Sequence, residues 1–265
     1  MKVAVLGARG FVGKNIAKFL MKKHGVFFIT RDILNLLDPL AVKKFLVDHK
    51  PDVVINCAAV MTDDNALHDA RNNLGMFMNF YENSHLFGKF INTGSGAEFD
   101  RFTDIDCAPE SRLFSVMPTD SYGWGQNIKS RLCFNKDNFY TIRIFNCFGR
   151  SELPTRIFPK LLSQGRLDIS NDRYFDYFSI QDLCSVVEHC VENNWPVKDV
   201  NAVYMKKYKI SEVVQKFCDL NSLNAEISVT SQAENNYTGN GTLLNVLGID
   251  LMGLDHGLQN YLPKE

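Results

Sequence analysis

The strongest constraint on this chain lies at its start. "KVAVLGA" (2–8) is apolar almost throughout, and it runs directly into "GARGFVG" (7–13), with glycine at 7, 10 and 13. An apolar strand of that kind has to be covered on both faces, as the strands of a parallel sheet are. Glycines at that spacing allow a tight strand-to-helix turn and let backbone N–H groups approach an anion at the helix N-terminus. The stretch from Phe11 to Lys22, with Ile16, Phe19 and Leu20 apolar, supplies the helix.

The same alternation continues downstream. "VFFIT" (26–30), "PDVVINCAA" (51–59), "KFINTGS" (89–95) and "FYTIRIFNCFG" (139–149) read as strands. Between them lie "PLAVKKFLVDH" (39–49), with proline in a first helical turn, the long helix 64–85, and a helix that carries Tyr122. This predicts an α/β protein, a Rossmann-type doubly wound parallel sheet, with residues 1–150 as a dinucleotide-binding domain. From Arg150 the pattern loosens. "PTRIFPKLLSQG" and "SIQDLCSVVEHCVEN" look helical, but the chain between and after them is polar and irregular. Residues 151–265 are read as a small C-terminal α/β substrate-binding lobe, interleaved with the sheet.

Composition narrows the partners. Among 265 residues, 45% are hydrophobic and 22% charged, which is ordinary for a globular chain. A net charge of −1 offers no polyanion-binding or membrane-attracted surface, so neither nucleic acid nor membrane is expected as a partner. No apolar run reaches the ~20 residues of a spanning helix, and the start lacks the cleavage site of a secretory leader. Seven cysteines are scattered with no CxxC pair and no metal-ligand spacing. Reduced, mostly buried thiols, no metal and a cytoplasmic location are expected.

Gly7, Gly10 and Gly13, with Phe11 and Val12, form the candidate pyrophosphate loop. The second strand ends "ITRD", and Arg9 sits inside the loop. Arg9 and Arg31 together would suit an adenosine 2′-phosphate through charge-assisted paired hydrogen bonds. Asp32 could instead accept from a ribose 2′-hydroxyl. The balance favours NADP(H), with NAD(H) as the alternative. Asp38 is either an adenine contact or the cap of the following helix.

With these pieces placed, the sequence resembles the extended short-chain dehydrogenase/reductases, in their nucleotide-sugar branch, the NAD-dependent epimerase/dehydratase family. Within it the GDP-L-fucose synthases and dTDP-4-dehydrorhamnose reductases are the nearest likenesses. "TRDILNLLD" (30–38), "PDVVINCAA", "NNLGMFMNF" and "RIFNCFG" carry the resemblance, which is close over 1–150 and looser afterwards, where "RYFDYFSIQDL" and "NYTGN" retain it. It places Ala58, Ala59 and Asn146 beside the cofactor. The family's catalytic set is Ser/Thr, Tyr and Lys, the last two spaced YxxxK. Ser95 falls at the serine, which hydrogen-bonds the substrate oxygen, and Tyr122, in "SYGWGQNIK" (121–129), at the tyrosine.

The lysine position holds Gln126. A glutamine can bond a ribose hydroxyl but supplies no charge to a phenol whose ordinary pKa is near 10. Lys129, at i+7 from Tyr122, returns to within about 20° of the same helix face and is a candidate substitute. Two further departures matter. Ala97 stands where the fucose synthases carry an epimerising cysteine, and "GRSELPTRIFP" has no histidine. Epimerisation by that route is therefore not expected.

The resemblance implies NADP(H)-dependent reduction of a 4-keto nucleotide sugar. Its alternatives are a 4-epimerase or 4,6-dehydratase using bound NAD, or a catalytically silent cofactor-binding protein. Arg150, Arg156, Lys160 and Arg173, set among Phe158 and Tyr174, are the candidates for holding a nucleoside diphosphate. A homodimer through the helices 64–85 and 122–134 is expected.

Overall fold

The computed structural model describes residues 1–62 and 65–263. Strand β1 (Lys2–Leu6) leads through the glycine loop into helix α1 (Phe11–Leu20) and strand β2 (Gly25–Ile29). Helix α2 (Pro39–His49) opens on its proline, with Asp38 as N-cap accepting from the Leu40 and Ala41 N–H groups at 3.0 Å each. Strand β3 (Val53–Asn56), helix α3 (Ala66–Glu82) and strand β4 (Lys89–Ser95) follow. Residue 64, where the expected long helix begins, lies outside the described residues.

Beyond β4 come β5 (Ile105–Ala108), α4 (Ser121–Phe134), β6 (Phe139–Ile144), β7 (Cys147–Phe148), α5 (Ile157–Gln164), β8 (Arg166–Ile169) and β9 (Phe178–Ser179). Helix α6 (Ile180–Glu192) and strand β10 (Asp199–Ala202) precede α7 (Ile210–Leu220), β11 (Glu226–Val229), β12 (Tyr237–Gly239), α8 (Thr242–Val246) and α9 (Leu254–Gln259).

Six strands form one sheet, in the order β10-β6-β4-β3-β1-β2, and every pairing is parallel. Two apolar cores cover its faces. Ile16, Ala17 and Leu20 of α1 join Leu183, Val186 and Val187 of α6 on one face. Val42 and Leu46 of α2, Phe77 and Phe80 of α3 and Cys133 of α4 lie on the other. Burial on both faces is why these strands read as unbroken apolar runs rather than alternating ones.

The C-terminal region interleaves with the sheet beyond residue 150. Strand β10 returns to pair with β6, and α6 packs beside α1, so residues 180–202 belong to the sheet layer. Their helix was legible, but the strand, Asp-Val-Asn-Ala, is too short and polar to announce itself. The rest forms a second core around Phe148, Phe158, Phe217, Leu258 and Tyr261. Short parallel pairs, β7 with β9 and β8 with β11, brace it. The pair β5 with β12 ties Tyr237 beside the loop that follows β4.

Candidate active site

β1 has β2 on one side and β3 on the other, so the chain leaves the sheet in opposite directions at their carboxyl ends. In open α/β sheets that crevice is where ligands bind. Two cavities occupy it. One, of about 370 Å³, is lined by Gly7, Arg9 and Gly10 after β1, Thr30 and Arg31 after β2, and Ala58–Val60 after β3, with Leu34, Leu36 and Met76. The other, about 320 Å³, is lined by Phe11 and Val12, by Thr93–Ser95 at the end of β4, by Tyr122 and Gln126 of α4, and by Asn146, Glu152 and Arg156. Cys57, Ala58 and Ala59 are common to both, so the two form a single groove.

The three glycines have three different reasons to be there. Gly7 has φ +74°, and a Cβ on it would lie 2.7 Å from the Cys57 carbonyl oxygen. A Cβ on Gly13 would strike the Gly7 carbonyl oxygen at 2.5 Å, so that residue lets α1 close on the loop. Gly10 is different: a Cβ there meets only the Gly7 carbonyl oxygen, at 3.4 Å. Packing does not require this glycine, but it lines the groove at the N-terminus of α1, where no side chain caps the helix. The unpaired N–H groups and open approach fit a pyrophosphate.

At the ribose end the two arginines are not equivalent. Arg9 is paired with Asp32, Nη1 to Oδ1 at 3.0 Å and Nη2 to Oδ2 at 3.1 Å, with the side chains 74% and 57% exposed. Arg31 is exposed and lines the groove. Asp38 is taken up as the cap of α2 and does not line it, which resolves the choice left open by the sequence.

Of the four candidate catalytic residues, Ser95, Tyr122 and Gln126 line one cavity. Ser95 closes β4, and its Oγ accepts the Ala97 N–H at 3.2 Å, while its own N–H donates to Glu98 Oε1 at 2.8 Å. Tyr122 sits in the first turn of α4, capped by Asp120, whose Oδ1 accepts from Gly123 at 3.0 Å. Burial pushes the Tyr122 phenol above its usual pKa; the Ser95 hydroxyl and the Gln126 amide beside it pull the other way. Gln126, one turn on, is 4% exposed, and its Oε1 is without a hydrogen-bond partner among the described residues. A buried acceptor in the cavity wall, with its amide turned to Tyr122, fits a ribose hydroxyl. The site residues thus accommodate the dinucleotide that the groove implies.

Lys129 is placed elsewhere. It is 2% exposed, absent from the cavity lining, and enclosed near Glu98 and Cys133, where α4 packs on β4 and β6. Its angular position on the helix is right, but the extra turn carries it past the cavity and beneath the sheet edge. Burial holds its amine down at about 8, against the pull of Glu98. Arg143 is buried in the same layer, with Nε 2.7 Å from Glu98 and Nη2 2.9 Å from Asp199. One cation beside Tyr122 is a residue the sequence did not single out. Arg101 lies over its ring at 5.8 Å while bonding Asp120 at 2.9 Å.

Of the four expected substrate cations only Arg156 lines the cavity, bonded to Asn146. Asn146 lines this same cavity with Ser95, Tyr122 and Gln126. Arg150 donates to the Tyr261 and Leu262 carbonyls, Lys160 stands on the exposed side of α5, and Arg173 lies over Phe175 and donates to Asn235. Glu152 was also missed. It lines the cavity and a side pocket of about 180 Å³ that also holds Thr155, Phe175 and Tyr177. Its Oε1 accepts from the Tyr261 hydroxyl at 2.8 Å, and burial raises its carboxyl pKa. A glutamate in a polar loop carries no signal of that burial in the sequence.

All seven cysteines are free, five of them buried. Elsewhere His24, Glu188 and Glu192 converge within 4.8 Å, but Lys23 already neutralises Glu188 at 2.9 Å. Among the described residues no helix is long and apolar enough to cross a membrane.

Residues 3–202 match the model of the NAD dependent epimerase/dehydratase family. The chain belongs to that family. It is 23% identical over 249 residues to a GDP-6-deoxy-D-talose 4-dehydrogenase of Aggregatibacter actinomycetemcomitans, covering 86% of this chain and 82% of the relative. Among solved structures it matches a dTDP-4-dehydrorhamnose reductase of Clostridium acetobutylicum with a TM-score of 0.81 at 18% identity, covering 98% of each chain. A GDP-L-fucose synthetase of Naegleria fowleri, bound to NADP, gives a TM-score of 0.80 at 16% identity, covering 98% of this chain and 92% of that one. These likenesses agree with the doubly wound parallel sheet.

Proposed function

We propose that the protein is an NADP(H)-dependent nucleotide-sugar ketoreductase, reducing a 4-keto sugar or running the reverse oxidation. The observation that carries the reading is the convergence of Ser95, Tyr122 and Gln126 on one cavity continuous with the glycine-loop groove. Gly10 and the N-terminus of α1 hold the pyrophosphate, Arg31 the adenosine 2′-phosphate, and Gln126 Oε1 a hydroxyl of the nicotinamide ribose. When bound, the cofactor supplies or accepts the hydride. Ser95 donates to the substrate oxygen, and Tyr122 gives that oxygen its proton in reduction and recovers it in oxidation. Arg156, joined to Asn146 and close to Glu152, faces the sugar and its diphosphate.

Ala97, buried at the position next to this serine where the fucose synthases keep a cysteine, leaves no acid or base there. That supports simple hydride transfer over epimerisation. One observation favours a second reading, a cofactor-binding protein without turnover: burial raises the phenol, Gln126 stands at the lysine position, and the Arg101 over its ring is already bonded to Asp120.

The deciding measurement is NADPH oxidation at high enzyme concentration across a panel of 4-keto-6-deoxy nucleotide sugars. Oxidation with one of them is expected. NADPH binding with no oxidation across the panel would transfer the weight to the silent reading.

A further inference from the structure

A cluster away from the groove has the make-up of a metal site. Helix α1 ends at Leu20, and the His24 N–H donates to the Leu20 carbonyl at 2.9 Å before β2 begins at Gly25. That turn sets the imidazole against the last turns of α6, where Glu188 and Glu192, at i and i+4, share one face. One ligand atom from each of the three residues lies within 4.8 Å of the others. Both helices pack in the same core on one face of the sheet, so the backbones that present these side chains are fixed. The ligands come from two segments far apart in the chain, which is why no spacing announced them.

The His24 side chain is 6% exposed, yet its Nε2 has no hydrogen-bond partner among the described residues. Glu192 Oε1 stands 3.2 Å away, near enough for a hydrogen bond but out of line for one. A buried ring nitrogen left unbonded is costly. The separation suits a shared ion instead: with bonds of ~2.0–2.1 Å to tetrahedral zinc, neighbouring ligand atoms lie ~3.3 Å apart. The carboxylates are also poorly placed without a cation. They repel one another at this spacing, and they stand at the C-terminal end of α6, where the helix dipole is negative. Lys23 offsets part of this, 2.9 Å from Glu188 and 3.9 Å from Glu192, but its side chain is 56% exposed and free to move into solvent. One ammonium against two carboxylates leaves one negative charge uncompensated.

We propose that His24 Nε2, Glu188 and Glu192 bind one divalent cation of the zinc class, with water as the fourth ligand and Lys23 displaced. An imidazole beside two carboxylates favours such an ion over Mg²⁺, which keeps to oxygen ligands. The ion ties the C-terminal ends of α1 and α6 together at the amino end of the parallel strands, away from the groove at their carboxyl ends. Its role is therefore structural, and the site stands whether or not the ketoreductase reading does.

The test is calorimetric titration of the full chain with ZnCl₂, after treatment with a chelator and with the thiols kept reduced. Saturable binding of a single ion per chain is expected, together with a rise in the thermal unfolding midpoint. Because all seven cysteines are free, Co²⁺ serves as a second probe. Its spectrum should show nitrogen and oxygen ligands and no thiolate charge-transfer band. Glu192→Gln keeps the side-chain shape at a partly exposed position, so the metal-free protein stays folded, and it should weaken zinc binding roughly tenfold or more. His24→Ala should do the same. Lys23→Met should tighten binding a few-fold by removing the competing cation, a result that an ion-pair cluster with no metal would not give. Absence of saturable binding, thiolate bands with Co²⁺, affinity unchanged by both Glu192→Gln and His24→Ala, or weaker binding in Lys23→Met would each overturn the site.

Discussion

Along the adenosine half of the groove the wall combines small residues, Gly7, Gly10, Ala58 and Ala59, with the apolar Leu34, Leu36 and Met76, and Arg9, Arg31 and Asp32 are exposed at the rim. The catalytic half is the reverse. Ser95 and Gln126 are buried, Tyr122 is partly so, and all three are neutral, while the fully buried cations Lys129 and Arg143 lie one layer deeper around Glu98. The first half binds through dipoles and loosely held surface charge, which a phosphate can displace cheaply. The second half depends on proton position in a low-dielectric wall, where one misplaced group costs far more. The charge missing from the Tyr-x-x-x-Gln face is therefore not missing from the region; it is spent beneath the site, neutralising Glu98.

If that contrast is right, substitutions in the catalytic half should change rates and those in the groove half should change affinity. Tyr122→Phe should have the largest effect, a loss of ~10²–10⁴ in kcat with the NADPH dissociation constant almost unmoved, read by steady-state kinetics beside fluorescence titration. Equal losses in both would break the comparison. Next come the glycines. Gly13→Ala forces a Cβ against backbone at 2.5 Å and should cost ~1–3 kcal/mol of stability in urea unfolding. Gly10→Ala meets nothing closer than 3.4 Å, so it should leave stability alone and weaken NADPH binding. Gln126→Lys should raise turnover several-fold. It should also bring the alkaline fall of ketone reduction to lower pH, because a cation beside Tyr122 lowers the pKa of a group that must be protonated to act as the acid.

These contrasts also explain what the sequence could reveal. The glycine loop was legible because its requirements are local, a positive φ and a close approach, whereas Ser95 and Tyr122 were singled out by the family resemblance, and the fold brings both to one cavity. Helix α2 was legible to the residue through Asp38 and Pro39. Lys129 was misplaced because helical phase gives a direction and not a depth, and one further turn separates a cavity wall from a packed layer. Glu152 and Arg101 were invisible for another reason. Their placement comes from contacts between parts of the chain distant in sequence, and nothing in "GRSELP" records what lies across the contact. Of the lobe's three candidate arginines and Lys160, only Arg156 lines the cavity, and the other three make structural or solvent-facing contacts.

The buried layer offers its own test. The Lys129 amine titrates near 8 in the fold and near 10.5 when unfolded, so between those values the unfolded chain holds more protons. Stability must then rise as pH climbs from about 8 toward 10.5, and the charged amine is a burden below that window. Lys129→Met should abolish this rise and leave stability at neutral pH unchanged or higher, by ~1–3 kcal/mol, while kcat scarcely moves. Urea unfolding at neutral and alkaline pH measures it. A large loss of kcat would instead mean that the deep cation reaches Tyr122 after all.

The smallest effect belongs at the rim. An exposed ion pair such as Arg9–Asp32 adds little to stability, and its partners can separate at little cost. Arg31 lines the groove and should meet the 2′-phosphate whichever way that pair is arranged. Arg31→Ala should therefore weaken NADPH about tenfold while leaving NADH unaffected, and Asp32→Asn should strengthen NADPH a few-fold by freeing Arg9 and removing a repelling carboxylate. Both follow from binding titrations with the two cofactors at low and high salt, since screening shrinks contacts of this exposed kind. If NADH gains where NADPH was expected to, Asp32 is holding a ribose hydroxyl, and the two arginines serve the surface rather than the cofactor.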